Sequence, residues 1–344
     1  MSGWGEGLLP TVPFPDALNT TILEVRDLRA EYRDGSKRIK AVDGLSFSLR
    51  RGETLALVGE SGCGKTSTAL AIMGLLPDSG RVVGGEIHFA ERDLLNLSRE
   101  EQRRLRGRQI SMIFQDPVSG LNPVIPIGDQ VQEIVTAHSR TSKREARAMV
   151  YDALERVGLA QPDQISKRYP YELSGGMCQR VIIAIATVLR PQVIIADEPT
   201  SALDVTVQAG ILNELQRLQE EQGVAILLIT HDLGVVAHMA DEVAIMYAGR
   251  IAEQGPTAGL FKRPRHPYTW LLLSTLPRLD QPNRPLRAIK GTPPDLADLP
   301  EECAFLPRCP KAVSACRTSP SPPLEELTPG HRAACYNPVY HPEE

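Results

Sequence analysis

Aromatic side chains are scarce in this chain of 344 residues, since Phe, Trp and Tyr together make up 5% of it. Such a sequence offers no platform on which single-stranded nucleic acid could stack. Long apolar runs are also missing, and all of them fall far short of the ~18 residues that a membrane-spanning helix needs. The net charge of −4 lacks the basic excess that DNA or an anionic membrane attracts. These absences argue against nucleic-acid binding and against a membrane span.

The start of the chain has no secretory signal, because no positively charged segment precedes an apolar one. Residues 1–20 hold three prolines and several glycines without periodicity, which is typical of a flexible leader. We therefore expect a soluble protein that stays in the cytoplasm. If it serves a membrane, another chain must cross it.

What the chain does have is an ordinary globular composition, 42% hydrophobic and 23% charged, which argues against disorder. Its length allows two domains at ~150 residues each. Proline and cysteine are unevenly spread: 16 of the 28 prolines lie between Pro264 and Pro342, and four of the six cysteines between Cys303 and Cys335. Such a segment builds little core unaided, so it needs a crosslink, a metal or a host surface.

Hydrophobic patterning predicts an α/β domain. Alternation at residues 22–25, 45–49 and 86–89 indicates half-buried, antiparallel strands. Continuous apolar runs at 54–58, 193–196 and 225–229 indicate strands buried on both faces, as in a parallel sheet. Helical periods separate them, at residues 65–76, 143–157, 176–189 and 205–221, and a hairpin is predicted at 243–254. Buried strands that alternate with helices define a largely parallel sheet.

The strongest motif is a phosphate-binding loop, because residues 59–66 read G-E-S-G-C-G-K-T and match G-x-x-x-x-G-K-[ST]. The loop follows a predicted buried strand and precedes a helical pattern, which is the context the motif requires. Its glycines let backbone N–H groups surround phosphate oxygens, and the helix N-terminus favours negative charge. Lys65 can reach the β- and γ-phosphates, and the Thr66 hydroxyl can bind Mg²⁺.

A pair of acidic residues follows the buried strand at 193–196. Asp197 and Glu198 stand at its carboxyl end, which is the end of the sheet that carries the phosphate loop. Asp197 suits Mg²⁺, directly or through water, and Glu198 can polarise an attacking water molecule. Further along the chain order, residues 173–177 read L-S-G-G-M, with Ser174 as a helix N-cap. That predicts a second anion-binding helix end.

From about residue 22 to residue 255 the chain resembles the nucleotide-binding subunits of ABC transporters. Residues 173–177 resemble the family's signature sequence, and residues 201–204 its D-loop. Gln115 is similar to the Q-loop residue, which contacts Mg²⁺ and senses the transmembrane partner. His231 is similar to the switch histidine, and Tyr32 to the aromatic residue that stacks on adenine.

The resemblance implies a fold and a set of site residues. The fold is a P-loop NTPase (RecA-like) core over residues 21–260, with an antiparallel β subdomain and a helical signature subdomain at about 116–180. The resemblance implies ATP and Mg²⁺ as cofactors, with hydrolysis carried out by Lys65, Gln115, Glu198 and His231. The Mg²⁺ residues are Thr66, Gln115 and Asp197. The residues expected to contact nucleotide are Tyr32, Gly59, Ser61, Gly62, Cys63, Gly64, Lys65, Thr66, Ser67, Gln115, Ser174, Gly175, Gly176, Asp197 and Asp204.

The resemblance also implies partners. In the family a second subunit supplies the signature helix, so that ATP is held between two copies. We expect a second, related ATPase subunit in a heterodimer and two transmembrane permease subunits. The Q-loop and residues 116–173 would receive the permeases, and an extracytoplasmic binding protein would deliver substrate.

Residues 261–344 resemble the C-terminal extension of oligopeptide and dipeptide importers. The resemblance is carried by His266-Pro267-Tyr268-Thr269 and by the I-K-G-T-P-P run at 289–294. It implies an ATPase that energises peptide uptake from the cytoplasmic face of the bacterial inner membrane. Nickel import by the same family is the alternative. A soluble ABC ATPase of DNA repair or translation fits less well, because the chain has a single nucleotide-binding region and no space for long coiled-coil arms. A binding module without catalysis conflicts with Glu198 and His231.

Four cysteines follow in the extension, with the spacing Cys303-x5-Cys309-x6-Cys316-x18-Cys335. Disulfides are disfavoured in the cytosol, so four thiolates in a loop-rich segment suggest a metal. Neither short spacing is the tight knuckle that structural zinc prefers, whereas a [4Fe–4S] cluster accepts longer loops. Similar importer subunits carry such a cluster. Zinc and buried thiols without a metal stay open. Because the cysteines are remote in sequence from the ATP site, we expect a structural or redox-sensing role.

Overall fold

The computed structural model describes residues 20–116, 120–200, 205–276 and 288–340. The predicted leader, apart from Thr20, and the predicted D-loop residue Asp204 lie outside the described residues. Within these ranges no helix is both long and apolar enough to cross a bilayer.

Strands and helices alternate along the described chain. The strands are β1 (Thr21–Asp34), β2 (Lys37–Arg50), β3 (Thr54–Val58), β4 (Gly80–Phe89), β5 (Arg92–Asp93), β6 (Ile110–Ile113), β7 (Val193–Asp197), β8 (Ala225–Thr230), β9 (Glu242–Tyr247), β10 (Arg250–Pro256), β11 (Glu325–Thr328) and β12 (His331–Ala333). The α-helices are α1 (Lys65–Met73), α2 (Arg99–Leu105), α3 (Ile127–His138), α4 (Lys143–Arg156), α5 (Pro162–Ile165), α6 (Gly175–Thr187), α7 (Val205–Gln222), α8 (Leu233–Met239), α9 (Thr257–Lys262), α10 (Pro267–Ser274) and α11 (Ala315–Thr318). Short 3₁₀ helices lie at Leu94–Asn96, Pro170–Glu172 and Leu306–Arg308.

The strands form two sheets. The N-terminal sheet has the order β2-β1-β4-β5 and is antiparallel. The larger sheet has the order β11-β12-β10-β9-β3-β8-β7-β6, and its centre from β9 to β6 is parallel. The predicted fold class, a mixed α/β fold with a parallel core and an antiparallel subdomain, is confirmed.

The core of the larger sheet follows the apolar runs of the sequence. Every residue of β3, β7 and β8 is buried, as expected for strands covered on both faces. Helix α1 ends at Met73, three residues before the predicted end, because Gly74 takes a left-handed φ of 61° and its N–H bonds to the Ala71 carbonyl. Strand β6 was not predicted, since its four residues are too few to show a period.

A helical layer lies between Asp116 and Arg180. Helix α4 begins at a capping box formed by Ser142 and Glu145, in which each side chain bonds the other's backbone N–H. Helices α3, α4 and α6 then share one core, in which Val131, Val150 and Ile183 are fully or almost fully buried. This layer begins directly after Gln115 and ends in the helix that Ser174 caps.

The extension packs against the larger sheet around a buried glutamate. The Glu253 side chain has no exposed surface, accepts hydrogen bonds from the N–H groups of Arg265 and His266, and lies 2.7 Å from His331 Nε2. Strand β12 pairs with β10 at the same point, with Ala333 opposite Glu253. The extension therefore adds two strands to the sheet, although its sequence shows almost no regular period.

Candidate functional site

The phosphate loop joins β3 to α1. Gly62 and Gly64 have φ of 79° and 107°, a region that side chains other than glycine disfavour. Gly59, Ser61, Gly62 and Cys63 form the turn, and Cys63 is buried with its carbonyl accepting from the Gly249 N–H at 3.0 Å. Burial raises the pKa of the Cys63 thiol, so this side chain packs as an uncharged group. The predicted loop conformation is present, with its open side at the N-terminus of α1.

Lys65 is buried and its Nζ lies within the loop. It donates to the carbonyl oxygens of Gly59 at 2.8 Å and Glu60 at 3.0 Å. An ammonium group held by loop carbonyls stands where phosphate oxygens would be bound by the surrounding N–H groups.

Asp197 and Thr66 form a pair suited to a divalent cation. Asp197 is 2% exposed, and its carboxylate accepts a hydrogen bond from the Thr66 hydroxyl. Burial raises the pKa of Asp197, and the bond from Thr66 opposes that rise. No donor in the described ranges bonds the buried Asp197 Oδ1. A buried carboxylate oxygen without a donor, beside a hydroxyl, has the chemistry that Mg²⁺ prefers, so these residues fit the ion.

Three of the residues predicted to act in hydrolysis meet at one carboxylate. Gln115 Nε2 donates to Glu198 Oε2 at 2.9 Å, and His231 Nδ1 lies 3.0 Å from Glu198 Oε1. Strands β6 and β7 are parallel neighbours, so their carboxyl ends bring Gln115 and Glu198 together. Glu198 has a φ of 47°, and its N–H bonds to the Ile229 carbonyl. A carboxylate with two nearby polar partners can orient and deprotonate a water molecule.

Tyr32 lies near the start of α1. Its hydroxyl donates to Ser67 Oγ at 3.2 Å, which links β1 to the helix that follows the phosphate loop. A Cβ placed on Gly80 would come within 2.8 Å of the tyrosine ring, so this glycine leaves room for the aromatic side chain. The arrangement puts an aromatic ring beside the helix that carries Thr66.

The predicted signature residues cap α6 and face solvent. Ser174 Oγ accepts from the Met177 N–H at 3.3 Å, and Ser174 and Gly175 are exposed while Gly176 is half-buried. No hydrogen bond within the described ranges joins Ser174, Gly175 or Gly176 to residues 59–66. The chain therefore holds two separate anion-binding helix ends, at Lys65 and at Gly175.

The four cysteines of the extension line one cavity. Cys303, Cys309, Cys316 and Cys335 surround it, with Phe305 as an additional wall. Burial raises the pKa of the Cys303 and Cys309 thiols, and that of Cys335 to about 12. Within the described ranges no group of three or more His, Cys, Asp or Glu side chains is placed to hold a single metal ion. The cluster and the zinc alternative both stay predictions.

The sequence reasoning missed two residues next to the phosphate loop. Glu60, an unspecified position of the motif, forms an ion pair with Arg308 of the extension. Tyr268 of the His-Pro-Tyr run accepts a hydrogen bond from the Glu60 N–H at 3.2 Å. The resemblance of residues 266–269 to importer extensions marked Tyr268 as notable but gave no contact for it.

Two family descriptions match the sequence. The family described as "ABC transporter" matches residues 42–201, which contain the phosphate loop, Gln115, the signature residues and Glu198. The family described as "Oligopeptide/dipeptide transporter, C-terminal region" matches residues 252–316, which contain the His-Pro-Tyr run and three of the four cysteines.

Relatives match nearly the whole chain. The oligopeptide transport ATP-binding protein OppD of Escherichia coli (strain K12) is 48% identical over 96% of this chain and 97% of its own length. The dipeptide transport ATP-binding protein DppD of Bacillus subtilis (strain 168) is 49% identical over 86% of this chain and 88% of its own.

Solved structures agree on the fold. The ATP-binding cassette MJ0796, solved as a post-hydrolysis dimer with ADP and Pi, has a TM-score of 0.63 and 26% identity over 69% of this chain and 99% of its own. CbiO1 of Clostridium perfringens, part of an ABC transporter complex, has a TM-score of 0.60 and 29% identity over 70% and 91%. The fold and site thus define an ABC-type ATPase. The chain belongs to the family of ATP-binding proteins of oligopeptide and dipeptide ABC transporters.

Proposed function

We propose that this chain hydrolyses ATP to drive the uptake of oligopeptides or dipeptides, as the ATP-binding subunit of an ABC importer. The observation that carries the proposal is the extension, because its match to the oligopeptide/dipeptide family separates this chain from other ABC ATPases. The relatives named above are peptide transporters and do not support the nickel alternative.

The proposed site residues divide the work of phosphoryl transfer. The N–H groups of residues 59–66 and the Lys65 ammonium hold the phosphates, while Tyr32 stacks on adenine and Ser67 supports it. Thr66, Asp197 and Gln115 would hold Mg²⁺, which neutralises charge on the phosphate oxygens when bound. Glu198 takes a proton from the attacking water, and its bonds to Gln115 and His231 fix the direction of its carboxylate.

The exposed helix end of α6 supports a dimeric ATPase. Ser174, Gly175 and Gly176 present backbone N–H groups to solvent, where a second ATPase subunit could place its own bound phosphate. We propose a heterodimer with a related subunit, with Asp204 at the same interface. Two permease subunits would contact Gln115 and the helical layer after it, and an extracytoplasmic peptide-binding protein would supply them. The chain would then lie on the cytoplasmic face of the inner membrane.

We also keep the division of the chain as a proposal. A nucleotide-binding body would span residues 21–260, with its helical subdomain at about 116–180, and the extension residues 261–344. The change from a regular βα alternation to short elements after α10 supports this division.

Transport of labelled substrates by the assembled transporter tests the proposed function. The chain is reconstituted in vesicles with the permeases and binding protein encoded beside it, and uptake of short peptides of graded length is compared with uptake of Ni²⁺. We expect ATP-dependent peptide uptake that Lys65→Ala abolishes. ATP-dependent nickel uptake without peptide uptake would overturn the peptide assignment and leave the ATPase assignment standing.

We further propose that Cys303, Cys309, Cys316 and Cys335 hold a [4Fe–4S] cluster. The support is that all four thiols line one cavity without forming a single-ion site. A cubane cluster holds its thiolates farther apart than one zinc ion does, because the iron atoms lie between them. The cluster supplies a rigid four-way crosslink for a segment with little core of its own.

Iron and sulfide analysis of anaerobically purified protein tests the cluster. We expect a brown chromophore with iron and acid-labile sulfide in equal amounts, lost in Cys303→Ser/Cys316→Ser and retained in Cys178→Ser, which changes a buried cysteine outside the extension. The extension of the double variant should become more sensitive to protease. Colourless protein loaded with zinc, or with no metal at all, would contradict the assignment.

A further inference from the structure

Arg308 of the extension grips the phosphate loop through Glu60. Its Nη1 lies 2.7 Å from Glu60 Oε2, and its Nη2 lies 2.9 Å from Glu60 Oε1. This is the two-pronged geometry in which an arginine–carboxylate pair is strongest. The arginine side chain is 5% exposed and the glutamate 23%, so solvent screens the pair only in part.

The guanidinium group of Arg308 is fixed on its other sides as well. Its Nε donates to the Lys290 carbonyl at 3.1 Å, and Nη1 also donates to the Tyr247 hydroxyl at 3.2 Å. The group lies over the rings of Tyr247 and Phe305, at 5.8 and 5.9 Å from their centroids. Phe305 in turn packs on Tyr268 in the buried aromatic cluster. An arginine restrained in this way meets Glu60 at a fixed position.

Glu60 passes that restraint to the loop. Its N–H donates to the Tyr268 hydroxyl, and its carbonyl accepts both from Lys65 Nζ at 3.0 Å and from the Cys63 N–H at 3.3 Å. The side chain, the N–H and the carbonyl of one residue are therefore all bonded. The side chain and N–H are held by the extension, and the carbonyl is held by the residues that surround phosphate.

We propose that Arg308 is a positioning residue of the ATP site, which holds Glu60 and thereby sets the conformation of the phosphate loop. The extension is then a part of the nucleotide-binding machinery and not only an appendage to it. Arg308 does not touch the reacting atoms. Its effect falls on ATP binding, because Glu198 and His231 belong to other elements and keep their contacts.

The test compares ATPase kinetics of the assembled transporter for Arg308→Met, Arg308→Lys, Glu60→Gln and the double variant Glu60→Gln/Arg308→Met. Arg308→Met should raise the KM for ATP about tenfold with kcat little changed, since a displaced loop weakens binding before chemistry. Arg308→Lys keeps the charge without the fork and should recover part of the loss. The double variant should be no worse than Arg308→Met alone, because both changes break the same link.

Arg317→Met is the matched control, since Arg317 is an exposed arginine of the same extension. It should leave the KM for ATP unchanged. A purely structural role for Arg308 would instead lower the melting temperature and the active fraction, and with it kcat, at constant KM. That result, equal KM values for Arg308→Met and Arg317→Met, or additive effects of Glu60→Gln and Arg308→Met would each overturn the proposal. Glu60→Gln is isosteric, so it tests the link even if Arg308→Met fails to fold.

Discussion

Glu198→Gln should reduce ATP turnover by about 10²–10⁴-fold, the usual contribution of a general base, while ATP still binds. The amide has nearly the size of the carboxylate but cannot take a proton from water. The carboxylate contacts Gln115 and His231, and the phosphate loop holds nucleotide through other residues. ATP bound without hydrolysis should hold the two ATPase subunits closed. Single-turnover hydrolysis and the subunit state by light scattering, both with ATP and Mg²⁺, measure the two effects.

Glu221→Gln is the control for this change, because Glu221 is an exposed glutamate at the end of α7. Its turnover should equal that of the unchanged protein. If Glu198→Gln kept most of its hydrolysis in the assembled transporter, the proton would have another acceptor and Glu198 would lose its proposed role. His231→Ala should lower turnover less than Glu198→Gln, since it removes a residue that orients the base and not the base itself.

Much of the site follows from the sequence, because its parts lie where regular patterns end. The apolar runs that become β3 and β7 are continuous, since both faces of these strands are buried. The phosphate loop and Glu198 come directly after those runs. The family resemblance identified Gln115, yet the strand that positions it, β6, has only four residues and no readable period. Its place beside β7 is a property of the sheet order.

Contacts across the chain were beyond the reach of local patterns. Glu60 and Arg308 are 248 positions apart, and neither stands in a run whose period would predict a contact. The same holds for the two strands of the extension: every residue of β11 is exposed, so no alternation of apolar and polar side chains marks it. Distance in sequence suggested that the cysteines are remote from the ATP site. The structure shows instead that Cys309 directly follows the arginine that holds the phosphate loop.

Gly64→Ala should abolish measurable ATP binding and lower the free energy of unfolding. A Cβ at this position would overlap the carbonyl oxygen of Ala41 and come within 2.7 Å of Met246 Cε. The φ of 107° adds backbone strain of about 1–3 kcal/mol for any residue with a side chain. Because Gly64 is the N-cap of α1, relief of the overlap would move the start of the helix whose N–H groups bind phosphate.

Gly35→Ala separates strain from overlap. Gly35 also has a positive φ, of 58°, but a Cβ there meets nothing within 4 Å. This control should cost only about 1–2 kcal/mol of unfolding free energy and leave ATP binding intact. Urea denaturation and calorimetric titration with ATP measure both quantities. If Gly64→Ala were as stable as Gly35→Ala and still bound ATP, the loop would not depend on the close approach of its backbone to Ala41. The loop is held from three sides, by Ala41 of β2, by the Gly249 turn and by the extension at Glu60, so displacement at Gly64 has no direction in which it can be absorbed.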